Sequence, residues 1–268
     1  MTFTNLLTNY WQLNIPALII IAILIIFNFV SNEKLFKKES IYFFIGIFLF
    51  FLLTFSPLNY LGHYYLFSAH MLQHIVILLI IPPLLLIGMN KKFFDDLLKN
   101  PKINKAGKFL FNPMTTWMIG VGSMWVWHVP LLFKGMMESE IIHIVEVVSL
   151  LIAGFIFAWP VFNPTKFKKL EPLQTALYLF TACVGCTVLG IFITFAPAGF
   201  FSQYMMGNNP AILNYLQFDM GISPAIDQQA AGLIMWVPAC LIYLSIILIT
   251  LNKWYKMPED EKELKVIN

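Results

Sequence analysis

Two histidines one helical turn apart are the residues of this sequence best suited to chemistry. They stand four positions apart in the stretch His70-Met-Leu-Gln-His74. On a helix, residues at this spacing lie one above the other, so both imidazoles can point at one spot. The apolar run that holds them continues through Pro82-Pro83 and is long enough to cross a membrane. The pair therefore predicts a functional site within a membrane-spanning helix, where polar side chains are costly.

Other candidate ligands lie close to the ends of apolar runs. They are His63, His128, His143, Glu146 and Asp227. Glu146 follows His143 by three residues and shares its helix face, so the carboxylate can orient that imidazole. A carboxylate within a lipid-facing segment needs a cation, a hydrogen-bond donor or a metal as its partner. The same reasoning makes Asp227 a candidate to tune the site.

The residue types leave the identity of the ligand open. Imidazole suits copper, zinc, iron and nickel, and haem takes histidine as an axial ligand. A thioether is a soft ligand for Cu(I), although buried methionines usually fill gaps in the core. The methionines near the histidines are Met71, Met124, Met136 and Met137.

The three cysteines all lie within apolar runs and indicate no disulfide framework. They are Cys183, Cys186 and Cys240. Cys183-Val-Gly-Cys186 has the CxxC spacing of some metal and redox sites, but the sequence holds no second CxxC. Small residues at these positions favour close packing of helices.

The composition indicates a membrane protein with several spans. Of 268 residues, 59% are hydrophobic and 12% are charged, and the mean hydropathy is +0.76. The apolar runs are long and continuous, which favours helices over a barrel. A net charge of +3 that is spread along the chain argues against nucleic acid binding. The sequence contains no HExxH, GxSxG or glycine-rich phosphate loop, and no lysine from Gln174 to Asn252 for a retinal Schiff base.

Seven apolar segments predict an all-α, polytopic fold in a single integral membrane domain, residues 1–268. Their approximate bounds are 13–30, 41–57, 66–88, 114–131, 141–162, 174–197 and 228–250. Sixteen of the seventeen lysines fall on one side of this arrangement, and only Lys134 falls on the other. By the positive-inside rule the N-terminus is outside and the C-terminus is cytoplasmic. All five histidines then lie towards the extracytoplasmic side.

Several motifs, in order along the chain, resemble the CtaG family of multi-span cytochrome c oxidase assembly factors. They are His70-Met-Leu-Gln-His74, Trp125-Val-Trp-His128-Val-Pro130, His143-Ile-Val-Glu146, Trp159-Pro160-Val161, Leu189-Gly190 with Thr194-Phe195-Ala196, and Asp227-Gln228-Gln229-Ala-Ala-Gly232-Leu-Ile-Met-Trp236-Val-Pro238. The resemblance runs from about the second predicted span to the seventh. One departure is Val147, which stands where the family often has a second histidine.

The resemblance implies a non-enzymatic factor in the bacterial cell membrane that assists formation of the copper centre of a haem–copper oxidase, typically of the caa(3) type. The implied copper ligands are His70, His74, His128 and His143, with Glu146 and Asp227 as further ligands or orienting groups. The expected partners are an oxidase subunit and membrane lipid, with no nucleic acid. Two alternatives are a copper-transporting permease and a bis-histidine haem b protein.

Overall fold

The computed structural model describes residues 3–31, 40–197, 200–201 and 207–258, and these residues form helices and connecting turns without strands. The helices are α1 (Phe3–Asn9), α2 (Ile15–Ser31), α3 (Ser40–Phe55), α4 (Pro57–Tyr64), α5 (Phe67–Ile75), α6 (Ile81–Gly88), α7 (Lys91–Leu97), α8 (Pro101–Leu110), α9 (Pro113–Trp127), α10 (Pro130–Glu138), α11 (Glu140–Phe162), α12 (Pro172–Phe195), α13 (Pro210–Asn214) and α14 (Pro224–Tyr255). Two π-helical turns continue helices, Val76–Ile80 between α5 and α6 and Tyr215–Asp219 after α13.

Four continuous helical stretches are long and apolar enough to cross a membrane. They are Phe67–Gly88, Glu140–Phe162, Pro172–Phe195 and Pro224–Tyr255. A fifth span forms if α3 and α4, which meet at a bend of 52°, are counted together. These stretches agree with the predicted spans 66–88, 141–162, 174–197, 228–250 and 41–57.

The other two predicted spans correspond to shorter helices. The segment 13–30 becomes α2, with 17 residues, and 114–131 becomes α9, with 15 residues. A helix needs about 20 residues to cross the hydrocarbon core of a bilayer. Helix α9 ends before Pro130, because this proline begins α10. Seven spans and an outward N-terminus therefore remain predictions. Five of the lysines on which the predicted orientation depends lie outside the described residues: Lys34, Lys37, Lys38, Lys262 and Lys265.

Helices α12 and α14 pack closely against each other. Gly232 of α14 lies against the Thr194 side chain and the Gly190 carbonyl of α12, where a Cβ atom would collide with both. Small residues at such a crossing let two backbones approach. Cys183 and Cys240 bridge the same pair as a disulfide, with Cα atoms 5.2 Å apart. The expectation that the cysteines form no disulfide framework is therefore wrong for this pair, because its partners are separated by 57 positions and meet only through helix packing.

The helix that carries His70 and His74 changes its winding one turn further on. The Ile81 amide donates to the carbonyl of Val76 in a π-type bond, and Pro82 cannot donate at all. Gly154 of α11 lies against this turn, and a Cβ atom there would come 2.5 Å from the Leu78 carbonyl oxygen. The absent side chain allows α11 to pack directly on the π turn. This contact sets the height of α11, and hence of Glu146, relative to α5.

Candidate metal centre

Helix α5 presents a concentrated set of buried polar side chains. His70, Met71, Gln73 and His74 are all buried, with exposed fractions between 0% and 4%. The Gln73 amide donates to the Leu53 carbonyl at 2.8 Å, which ties α5 to α3. This bond holds α5 against α3 near His74, and the buried imidazoles face the interior of the bundle.

The start of α5 is held by a side chain from α14. The first amides of a helix have no partner within the helix, and Leu66, the residue before α5, gives no side-chain cap. Asp227 supplies the acceptor: its Oδ2 accepts from the Phe67 amide at 2.6 Å and its Oδ1 from the Ser68 amide at 3.1 Å. The Ser68 hydroxyl also donates to Oδ1. Asp227 therefore caps the end of α5 from which His70 is one turn away and His74 two turns away. It acts on the candidate site by positioning α5.

Glu146 of α11 meets both imidazoles of α5. Its Oε1 lies 3.5 Å from His70 Nε2 and 3.3 Å from His74 Nε2. The two imidazole rings have centroids 4.1 Å apart, and Glu146 is fully buried. Helix spacing suggested His143 as the partner of Glu146, but in the structure its partners are His70 and His74. We call His70, His74 and Glu146 the triad.

The donor set of the triad fits a metal ion. Each residue offers one ligand atom, and these atoms all lie within 4.8 Å of one another. Tetrahedral ligands about 2.0–2.1 Å from one metal are separated by about 3.3 Å, close to the two measured contacts to Glu146. Within the part of the chain that the structure describes, His74 Nδ1 and Glu146 Oε2 have no hydrogen-bond partner, and Glu146 Oε1 has only the two long contacts to the imidazoles. Buried polar atoms without hydrogen bonds are rare and require another partner.

All five histidines are joined in one row. The ring centroids of His63 and His143 are 4.3 Å apart, those of His143 and His70 are 6.2 Å apart, and those of His74 and His128 are 5.7 Å apart. The structure therefore brings every candidate histidine to one end of the bundle, although His128 and His143 lie beyond the triad. His63, which the sequence pointed to only weakly, belongs to the row through its contact with His143.

A cavity of about 170 Å³ adjoins the His63 end of the row. Its lining includes Asn59, His63, Tyr64, Glu140 and His143. Glu140 is exposed at the start of α11, while His143 is buried one turn later. The cavity thus connects the surface with the buried imidazoles. Val147, the departure from the family pattern, is half-buried on the same helix and offers no ligand.

At the opposite end of the row, His128 contacts the sulfur of Met71. His128 Nδ1 is 2.6 Å from the Met124 carbonyl oxygen, and His128 Nε2 is 3.2 Å from Met71 Sδ. Sequence reasoning treated Met71 as a minor candidate because buried methionines are common. Its position three residues before His74 places it near that imidazole on α5, but its contact with His128 depends on how α5 and α9 pack.

A bundle of long apolar helices around a buried imidazole–carboxylate cluster defines a helical membrane protein with a candidate metal centre. A family model for cytochrome c oxidase caa3 assembly factors matches residues 30–257. The chain belongs to this family, as the motifs indicated. No curated protein and no solved structure shows detectable similarity to it.

Proposed function

We propose that this assembly factor carries copper transiently in the triad and supports formation of the copper centre of a haem–copper oxidase in the bacterial cell membrane. The observation that carries the proposal is the meeting of His70, His74 and Glu146 at ligand spacing in a buried site. Copper is the cargo here and the protein its carrier, so no catalytic residue is required. Two imidazoles and one carboxylate suit a divalent ion and leave positions for exchange.

The surroundings of the triad favour delivery over transport across the membrane. Along α5 and the π turn, the residues beyond His74 include Ile75, Ile77 and Leu78, all buried and apolar. Beyond Glu146 on α11 lie the buried side chains of Leu150 and Ala153. A permease needs polar or sulfur groups that continue along the path of the ion. A closed apolar floor instead suits a site that loads and unloads from the end where the histidines lie.

The geometry of the two imidazoles favours a single ion over haem. An axial pair must hold a porphyrin plane between its two rings. His70 and His74 lie on one face of one helix, and both Nε2 atoms are within 3.5 Å of the same carboxylate oxygen. No macrocycle fits between groups so arranged.

The test is genetic complementation with an oxidase readout. A strain that lacks the gene receives the wild-type protein, His70→Ala/His74→Ala, or the control Glu138→Gln, which changes an exposed carboxylate of α10. We expect the wild type and the control to restore oxidase activity and membrane copper, and the double variant to restore neither at equal protein level. Restored activity in cells that carry the double variant would refute the proposal.

A further inference from the structure

The contact between His128 and Met71 has a feature that ordinary packing does not explain. His128 follows the last residue of α9, and its Nδ1 reaches back to the Met124 carbonyl four residues earlier, at 2.6 Å. A carbonyl oxygen only accepts, so the neutral imidazole carries its single proton on Nδ1. Its Nε2 is then an unprotonated acceptor whose lone pair points at the neighbouring atom.

The partner of that lone pair is another acceptor. Met71 Sδ lies 3.2 Å from His128 Nε2, and a thioether sulfur has lone pairs but no proton to donate. Met71 is completely buried and His128 is 5% exposed, so water has little access to the pair. Two electron-rich atoms that face each other in a buried place are an arrangement that a cation between them would stabilise.

Imidazole with thioether selects one kind of cation. Thioether sulfur is a soft ligand that favours Cu(I), whereas Zn²⁺ takes thiolate, imidazole and carboxylate. Metal–ligand distances of about 2.0 Å to nitrogen and 2.3 Å to sulfur place two ligands of one ion about 3–4 Å apart. The measured separation of 3.2 Å lies in this range.

We propose that Met71 Sδ and His128 Nε2 form a second, Cu(I)-selective metal position beside the triad. The His128 ring centroid is 5.7 Å from that of His74, so an ion at this position is next to the triad. The triad offers nitrogen and oxygen, and the Met71–His128 position offers nitrogen and sulfur. Any use of this position in oxidase assembly rests on the proposed function, but its binding of Cu(I) does not.

The experiment measures Cu(I) binding by the purified full-length protein in detergent, without oxygen, in competition with a chromophoric Cu(I) chelator. Met71→Leu removes the sulfur with little change in volume, and Met235→Leu, at a fully buried position of α14, is the matched control. We expect Met71→Leu to weaken Cu(I) binding at least tenfold and Met235→Leu to leave it unchanged. Zn²⁺ affinity should be the same in all three proteins, because the triad is intact.

Copper-edge X-ray absorption identifies the ligands of the bound ion directly. In wild-type protein labelled with selenomethionine, we expect a selenium neighbour of the bound Cu(I), and we expect Met71→Leu to abolish it. Only nitrogen and oxygen neighbours in the labelled wild type would overturn the proposal, as would unchanged Cu(I) affinity in folded Met71→Leu. If the bound Cu(I) has a selenium neighbour but cells with His70→Ala/His74→Ala still assemble the oxidase normally, the Met71–His128 position is supported and the proposed function is refuted.

Discussion

The carboxylate that anchors α5 gives the sharpest test of how the site is built. Asp227→Asn keeps the size of the side chain but turns one of its two acceptor oxygens into a donor. In the wild type Oδ2 accepts from the Phe67 amide at 2.6 Å, while Oδ1 accepts from the Ser68 amide and hydroxyl. Whichever way the new amide turns, its NH2 faces an N–H or O–H group of α5 at this buried end.

The expected loss follows from these contacts. A hydrogen bond to a charged group contributes about 1.5–3 kcal/mol, and a buried donor left without an acceptor costs about 1–3 kcal/mol. Part of the second cost is relieved if the helix end frays, so we expect Asp227→Asn to lower the free energy of unfolding by about 2–4 kcal/mol. Fraying would also displace His70, which lies one turn further on, and weaken metal binding by the triad.

The assay is equilibrium unfolding in mixed micelles with increasing dodecyl sulfate, followed by tryptophan fluorescence. Asp219→Asn is the control, because Asp219 is exposed in the π turn after α13, and surface changes of this kind usually stay within about 0.5 kcal/mol. If Asp227→Asn unfolds at the same dodecyl sulfate fraction as Asp219→Asn, the cap contributes little and the account of how α5 is positioned is wrong.

Three further predictions concern the triad, the helix packing and the disulfide. Glu146→Gln should weaken binding of a divalent ion such as Zn²⁺ at least about tenfold, because it removes the charged ligand of the triad and even groups that only support ligands contribute about 10–100-fold. Isothermal titration with Glu138→Gln as control will measure this, and equal affinities would remove Glu146 from the site. Gly154→Ala should destabilise the protein, because its Cβ would meet the Leu78 carbonyl oxygen and Pro82. The control Gly122→Ala has open space around its Cβ and should be neutral or stabilising by up to about 1 kcal/mol. Equal midpoints of thermal unfolding for the two variants would contradict the close contact of α11 with the π turn. Alkylation of the denatured, unreduced protein followed by mass spectrometry should modify Cys186 alone, since Cys183 and Cys240 are paired; three modified cysteines would show that the disulfide does not form.

The sequence predicted the helical class, the membrane character and the candidate residues of the site because each has a local signature. Long apolar runs identify helices that cross a membrane, and a spacing of four residues places His70 and His74 on one face. The predicted bounds differ from the structure where a helix is short. His128, for example, is predicted at the outer end of a span that extends to residue 131, but α9 ends at Trp127 and leaves His128 at its C-terminus.

The partners of the side chains could not be predicted, because they depend on which helices meet. Spacing shows that His143 and Glu146 share a face of α11, but it does not show that Glu146 reaches α5 while His143 meets His63. Asp227 is a similar case, since its acceptor role at the start of α5 joins residues 160 positions apart. The disulfide between Cys183 and Cys240 depends equally on the close contact of α12 with α14. Each of these is a non-local contact set by packing.

The order of the groups along the histidine row gives the proposed carrier a direction. The row begins at the cavity beside exposed Glu140, continues through His143 to the triad, and ends at the buried thioether of Met71. The cavity end offers imidazoles and a carboxylate, the triad offers the same two ligand types, and only the far end of the row offers sulfur. An ion that moves from the triad to the Met71–His128 position would exchange a hard carboxylate for a soft thioether, which favours Cu(I) over Zn²⁺ at that step. In the proposed carrier, selection for copper would then arise at this last position, while the apolar residues beyond His74 offer no ligands for passage through the bundle.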